Sequence, residues 1–143
     1  MMFKEIAFQS NTYQLTLVLR NQVLRQPLGL ILSEKDTLNE ELHRHFVLLN
    51  ESEVIACLVI ITDHSKQSVK LKQMAVSDMF RKQGLGSSLI TKVEAILRTE
   101  GIIKIVLSAR ITAIPFYETL GYLTQGNEYI EQTIPHIMMS KSL

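Results

Sequence analysis

Arg81-Lys82-Gln83-Gly84-Leu85-Gly86-Ser87-Ser88 stands between a strand-like run, Val69 to Val76, and a run in which Leu85, Leu89, Ile90, Val93, Ile96 and Leu97 recur at three- and four-residue spacing. That recurrence marks one apolar face of a helix. The first N–H groups of such a helix point outward at the positive end of its dipole, and glycines at 84 and 86 let backbone approach a ligand there. Arg81 and Lys82 add charge just before the turn, so a pyrophosphate could be held by several amides and one or two cations. The bland alternative is a glycine turn with solvated basic residues. Two other phosphate loops do not fit. A P-loop needs Gly-Lys-Ser/Thr, but Ser87 follows Gly86, and a dinucleotide fingerprint needs a small residue where Leu89 stands.

Downstream of this segment the pattern alternates. Gly101 closes the helix, Ile102 to Leu107 reads as a buried strand, and Ile111 to Leu120 as another helix ended by Gly121. Tyr122-Leu123 and then Tyr129 to Met139 add final strands. Upstream, Phe46 to Leu49, Val54 to Thr62 and Val69 to Val76 are strands joined by short polar connectors, which favours antiparallel hairpins. Lys4 to Phe8 reads as an opening strand, followed by a helix capped by Asn11 or Thr12 and stopped at Pro27. Residues 28–44 have weak periodicity and read as a loop with a short helical turn, the kind of segment that shapes a substrate pocket. The fold class is therefore α/β, a mixed α+β sheet flanked by helices.

The 143 residues suit one domain, 1–143, with 46% hydrophobic and 20% charged residues placing it among globular chains. A formal net charge of +1 with scattered cations predicts no nucleic-acid or membrane-surface partner, so any anion site must be local. No apolar stretch exceeds the eight residues of Val54 to Ile61, and the N-terminus lacks signal-peptide character, so cytoplasmic residence is the default expectation. The lone cysteine, Cys57, sits inside that run as a small hydrophobe. His43 and His45 lack a second cluster at metal spacing, so no metal is predicted.

Arg81-x-x-Gly84-x-Gly86 after the strand Leu71-Lys72-Gln73-Met74-Ala75-Val76 resembles the acetyl-CoA-binding motif of GNAT acetyltransferases. Ala113-Ile114-Pro115-Phe116-Tyr117-Glu118-Thr119-Leu120-Gly121-Tyr122 looks like the superfamily's downstream Phe-Tyr-Glu helix, with one helix and one strand between the two blocks. Arg20-x-x-Val23-Leu24-Arg25-x-Pro27-Leu28-Gly29-Leu30 and Ile134-Pro135-His136-x-Met138 look like small bacterial members of unassigned substrate.

The resemblance implies a mostly antiparallel central sheet with one splayed parallel pair, and acetyl-CoA as cosubstrate. It implies that the backbone of Met74, Ala75 and Val76 pairs with the pantetheine arm and polarises the thioester carbonyl, and that the amides of Gln83, Gly84, Leu85, Gly86 and Ser87 bind pyrophosphate beside Arg81 and Lys82. It makes Tyr117 the general acid, next to Phe116 at the cofactor. The general base is left between Glu131 and His136. On one terminal strand, five positions apart, these would face opposite sides unless a bulge near Pro135 intervened. Arg110 stands where many members have Asn or Gln, and it serves either the cofactor or an acidic group of the substrate. The resemblance also allows a homodimer. Two functions share these residues: N-acetylation of a primary amine, on a small molecule or a peptide, by direct attack in a ternary complex, and a catalytically silent acetyl-CoA sensor. A third class is an interaction protein without a nucleotide ligand.

Overall fold

Alternation of side chains across two covered faces organises the molecule. In the computed structural model, which describes residues 1–143, the chain runs β1 (Met2–Ile6), α1 (Asn11–Arg20), β2 (Arg44–Asn50), β3 (Glu53–Asp63), β4 (Ser68–Val76), α2 (Leu85–Thr99), β5 (Lys104–Arg110), α3 (Ile114–Thr119), β6 (Leu123–Glu131) and β7 (Ile134–Ser142). The strands make one seven-stranded sheet in the order β1-β2-β3-β4-β5-β7-β6. Only β4 and β5 run parallel, joined across the sheet by α2. Phe46 and Leu48 of β2, with Ile55, Leu58 and Ile60 of β3, join Leu89, Ile90, Val93 and Leu97 of α2 in the larger core. Their neighbours Val47, Leu49 and Cys57 pack with Tyr13 and Leu19 of α1 on the opposite face. Both faces are apolar, which is why β3 reads as an unbroken hydrophobic run. Burial raises the Cys57 thiol to about 12, so it is inert filling. No helix is long and apolar enough to cross a membrane.

Several boundaries differ from the sequence reading. The opening strand starts at Met2 and stops at Ile6, because Phe8 leaves the sheet to pack its ring against Tyr13, 4.7 Å away between centroids. The cap of α1 is Ser10, whose hydroxyl oxygen accepts from the Tyr13 N–H at 3.2 Å, in place of Asn11 or Thr12. Beyond Arg20 the helix widens into a π turn, Asn21–Arg25, and tightens at Gln26–Leu28. The C-terminal region departs most. The chain does not continue as one strand from Tyr129 to Met139 but folds into the hairpin β6–β7. Its two-residue turn, Gln132 (φ +50°) and Thr133 (φ +68°), has both residues in the left-handed region. Asn-Gly or Asp-Gly usually fills such a turn, so these letters gave no signal.

One buried ion pair ties α1 to the long loop. The Arg20 guanidinium donates two parallel hydrogen bonds to Glu40, at 2.8 and 2.7 Å, and both side chains are 0% exposed. Tyr13 Oη also donates to Glu40 at 2.7 Å, and Lys72 Nζ lies 3.7 Å away. Desolvation alone would raise the Glu40 pKa, but the Arg20 hydrogen bonds outweigh it and hold the carboxyl below its ordinary value. Stability from this carboxylate is therefore complete above its unfolded pKa, near 4.3, and is lost as pH falls through the lowered folded value. Glu40→Gln strands the Arg20 charge, and urea denaturation at neutral pH should show a loss of about 3–5 kcal/mol. The double replacement Arg20→Met/Glu40→Leu should recover most of it; a single variant as stable as wild type would show that the pair contributes nothing.

Candidate active site

Parallel pairing of β4 with β5 covers only Ser68–Leu71 against Lys104–Leu107. Beyond Leu71 and Leu107 the strands part, leaving the β5-facing edge of residues 72–76 without a strand partner. Where β4 runs beside β3, Lys72 opposes Val59 and Ala75 opposes Cys57, so Gln73 and Met74 together face one residue, Leu58. This is a β-bulge, with Gln73 at φ +55°. The Nε–H of buried Arg20 donates to Gln73 Oε1 at 3.2 Å, so the ion pair behind the sheet also holds the bulge. Ala75 packs toward α1, while Met74 and Val76 pack against the α2-side core. The unpaired backbone between them is what the site has to offer.

At the end of β4 the chain turns through Asp78–Phe80 and enters α2 at Gly84, which has φ +74°. A left-handed residue is needed there, and a Cβ would meet nothing within 4 Å. Gly86 has a different task. A Cβ on it would stand 3.0 Å from Met74 Cε and 3.2 Å from Phe116 Cζ, so this glycine lets α2 settle onto β4 and α3. Of the two glycines read as ligand-approach positions, only Gly84 is open in that sense. The amides of Gln83, Gly84, Leu85, Gly86 and Ser87 have no acceptor within the chain, and the ladder begins with Ser88 N–H donating to Gly84 O at 3.0 Å. No acidic side chain lies in the first turn of this 15-residue helix. These donors and the helix dipole suit an anion. Arg81 pairs with Asp78 at 2.8 Å, and both are exposed, as is Lys82.

The divergence opens a cavity of about 370 Å³. Tyr117 of α3 lines it from the α2 side. Its ring packs edge-on against Phe116 and Tyr122, at 5.0 and 5.8 Å, and the Tyr122 hydroxyl is anchored on Glu94 at 2.8 Å. The Tyr117 hydroxyl makes no hydrogen bond within the chain, and burial raises its pKa to about 12, against a small opposing effect of Arg110. It keeps its proton across the physiological range.

Glu131 and His136 lie on adjacent strands of the hairpin, not along one strand as the sequence reading had them. His136 pairs with Tyr129 across the ladder, and its Nε2 is 3.6 Å from Glu131 Oε2. Its Nδ1 is 2.9 Å from the Ile134 carbonyl, which can only accept, so Nδ1 carries a proton and Nε2 faces the carboxylate. Ser108 donates to Glu131 at 2.9 Å and also bonds the Tyr129 hydroxyl. On the other flank, Arg110 is the partner of His136 in the β5–β7 ladder, and one of its N–H groups donates to Leu24 O at 2.9 Å. Ser108 and Tyr129 escaped the sequence reading, although Ser108 is two positions from Arg110 on a strand and therefore shares its face. Arg25, Asp36 and Lys72 also line the cavity, and nothing in their spacing announced it. His43 and His45 do not converge with acidic or sulfur ligands; His45 Nε2 lies 2.8 Å from the Glu40 carbonyl.

Comparison with known proteins agrees with this geometry. The family described as "Acetyltransferase (GNAT) domain" matches residues 21–143. Bacillus subtilis YyaT, an uncharacterized protein, is 30% identical over 111 residues, covering 77% of this chain and 72% of its own length. An uncharacterized N-acetyltransferase of Chlorobaculum tepidum is 28% identical over 66% of this chain and 59% of its own. Escherichia coli ElaA shares the fold with TM-score 0.84 at 22% identity, over 99% of both chains. An aminoglycoside 6'-N-acetyltransferase complexed with coenzyme A superposes with TM-score 0.78 at 18% identity, over 99% of this chain and 97% of that one. The family match spans both the phosphate-type loop and the tyrosine helix, and the chain belongs to the GNAT acetyltransferases, which transfer an acyl group from acyl-CoA.

Proposed function

We propose that this protein transfers the acetyl group of acetyl-CoA to a primary amine by direct attack within a ternary complex. The observation that carries this reading is the parting of β4 from β5 beside a loop of free amides, with a protonated tyrosine between. The free edge of β4 at Met74, Ala75 and Val76 offers main-chain groups for an extended pantetheine arm, as a strand would. Gln83 to Ser87 offer amides for the pyrophosphate, with Arg81 and Lys82 adding charge from the surface and Phe116 closing the floor under Gly86. Acetyl-CoA supplies an activated acyl carbon and a thiolate leaving group.

The chain's own groups then divide the proton work. A β4 backbone N–H at the bulge polarises the acyl oxygen, a donor aimed at charge that grows during attack. His136 Nε2, with Glu131 beside it, takes the proton that the amine nitrogen loses as the N–C bond forms. Tyr117 Oη gives its proton to sulfur as the C–S bond breaks, so amide and free thiol leave as neutral groups. Direct attack needs no nucleophilic side chain, and the one cysteine is buried away from the cavity. A silent sensor would need the same loop, but not an imidazole, a carboxylate and a serine gathered across the cavity from the tyrosine; that gathering favours turnover.

Three results follow. CoA at about 100 times its Kd should stabilise the protein by roughly 2.7 kcal/mol, read as a rise in Tm. Gly84→Val, which forces a β-branched residue into a left-handed turn, should abolish that rise; an unchanged rise would remove the loop from the site. In a thiol-release assay Tyr117→Phe should lower kcat by about 100-fold while calorimetric CoA affinity stays near wild type. Because burial raises the Tyr117 pKa, the acid form persists, and kcat/KM should climb as the amine deprotonates with no fall below about pH 10. A descending limb below that pH, absent from Tyr117→Phe, would contradict a tyrosine acid held protonated by burial.

A further inference from the structure

The sheet separates the two halves of the reaction by face. Before the bulge at Gln73, Val69 and Leu71 of β4, with Ile105, Leu107 and Ala109 of β5, belong to the core beneath α2. Even-numbered Lys70, Lys72, Ser108 and Arg110 therefore face the α1 side, away from the helix whose N-terminus holds the free amides. On that side the cavity is strongly cationic. Its lining carries Arg25, Lys35, Lys70, Lys72 and Arg110 against two carboxylates, Asp36 and Glu131, while Arg81 reaches the cavity from the loop before α2 and is paired with Asp78. The whole chain has a formal charge of only +1, so this excess is local.

The two carboxylates are already engaged. Asp36 accepts two hydrogen bonds from Arg25, at 2.9 and 3.2 Å, in a pair 6% and 11% exposed. Glu131 is held by Ser108 and faces His136. Lys72 has its nearest carboxylate at 3.7 Å in Glu40, which Arg20 already occupies bidentately. Arg110 has no carboxylate within 4.0 Å and only the Leu24 carbonyl as partner. Burial, and then the like charge of Arg25, push the Arg110 pKa below its ordinary value. A half-buried guanidinium with most of its five donors free, among other cations, is a poorly compensated charge that an incoming anion would satisfy. Its planar fork matches a carboxylate or phosphate.

We infer that the acceptor is a small amine that also carries a carboxylate or phosphate group, its anionic group held by Arg110, Lys72 and Lys70 and its nitrogen delivered toward His136 and Glu131. The inference rests on the acetyltransferase reading and names its substrate class. Arg110 and His136 are ladder partners, so their side chains rise from the same face of the sheet and one ligand can reach both. The same cations disfavour an ammonium ion, which brings the bound nitrogen to its neutral, nucleophilic form with less demand on the base. The hairpin that carries Glu131 and His136 is tied to the loop 28–44: the Gln132 side chain, at the β6–β7 turn, donates to Asp36 at 3.3 Å.

The test uses the intact chain saturated with acetyl-CoA and four amines of similar length: 4-aminobutyrate, 3-aminopropylphosphonate, 4-amino-1-butanol and putrescine. Thiol release should give the carboxylate or phosphonate compound a kcat/KM about tenfold or more above the alcohol, with putrescine lowest. Comparing the two anionic arms tells which acid the site takes. If turnover is too slow to rank, the same amines are ranked by their shift in Tm of the CoA complex, where the anionic pair must stabilise most. Arg110→Gln should reduce the ratio of anionic to neutral amine, in whichever readout ranks them, by about tenfold. An alcohol or putrescine equal to the anionic amines, or a ratio unmoved by Arg110→Gln with the loss falling on CoA affinity instead, overturns the inference. Acetyl-CoA failing to bind at all would instead sink the acetyltransferase reading, so the two failures are distinct.

Discussion

Parallel pairing between β4 and β5 stops after Leu71 and Leu107, and the rest of the site is a consequence of that interruption. Backbone groups inside a sheet require partners, and those on the free edge of β4 can find them only in something placed between the strands. The gap is held open from both sides. On β4 the bulge at Gln73 turns the chain away from β5; on β5 the ladder transfers wholly to β7, where Leu107 to Arg110 pair with Met139 to His136. A continuous seven-stranded sheet would have buried these edges against each other and left neither cleft nor free donors.

Keeping a bulge at a left-handed glutamine is unfavourable by itself, of order 1 kcal/mol or more, so the surroundings must impose it. The buried Arg20 does so through its Nε–H, while its two terminal nitrogens grip Glu40. One guanidinium thus links α1, the loop 28–44 and the strand that borders the cleft. A buried ion pair is weak evidence for stability, since apolar replacements often fold as well. Here its geometric value is clearer, because a methionine in its place could fill the volume but could not bond Gln73.

Elements with strong local signals were legible in the sequence: the helix beginning at Leu85, the apolar strands β2 and β3, and the glycine-bearing loop before α2. The tyrosine helix was legible because Gly121 ends it, with φ +94°. The β6–β7 hairpin was not, since Gln132 and Thr133 adopt positive φ without the residues that normally advertise it. That omission mattered for the site. Placed on one strand, Glu131 and His136 point apart, whereas placed across a hairpin they approach to 3.6 Å. Gly86 was also half-legible: its smallness was read as room for a ligand, but the structure uses it for contact with Met74 and Phe116. Nothing local could tell those apart, because the neighbours come from distant parts of the chain.

The two sides of the cleft differ in how they are specified. The α2 side offers main-chain donors and a helix terminus, which depend on backbone path and tolerate many side chains; this is why its motif is short and readable. The α1 side offers long side chains that converge from β4, β5, the turn after α1 and the loop 28–44. Their charges were visible in the sequence, but only as a scatter that sums to nearly zero. Three tethers turn the scatter into a field: Arg25 on Asp36, Arg20 on Glu40 and Gln132 on Asp36. Two of the three engage the guanidinium groups deepest behind the loop, which leaves Arg110 as the guanidinium in the cavity wall still without an anion. On the proposed reading, selectivity for an acceptor on this side is a property of the folded arrangement.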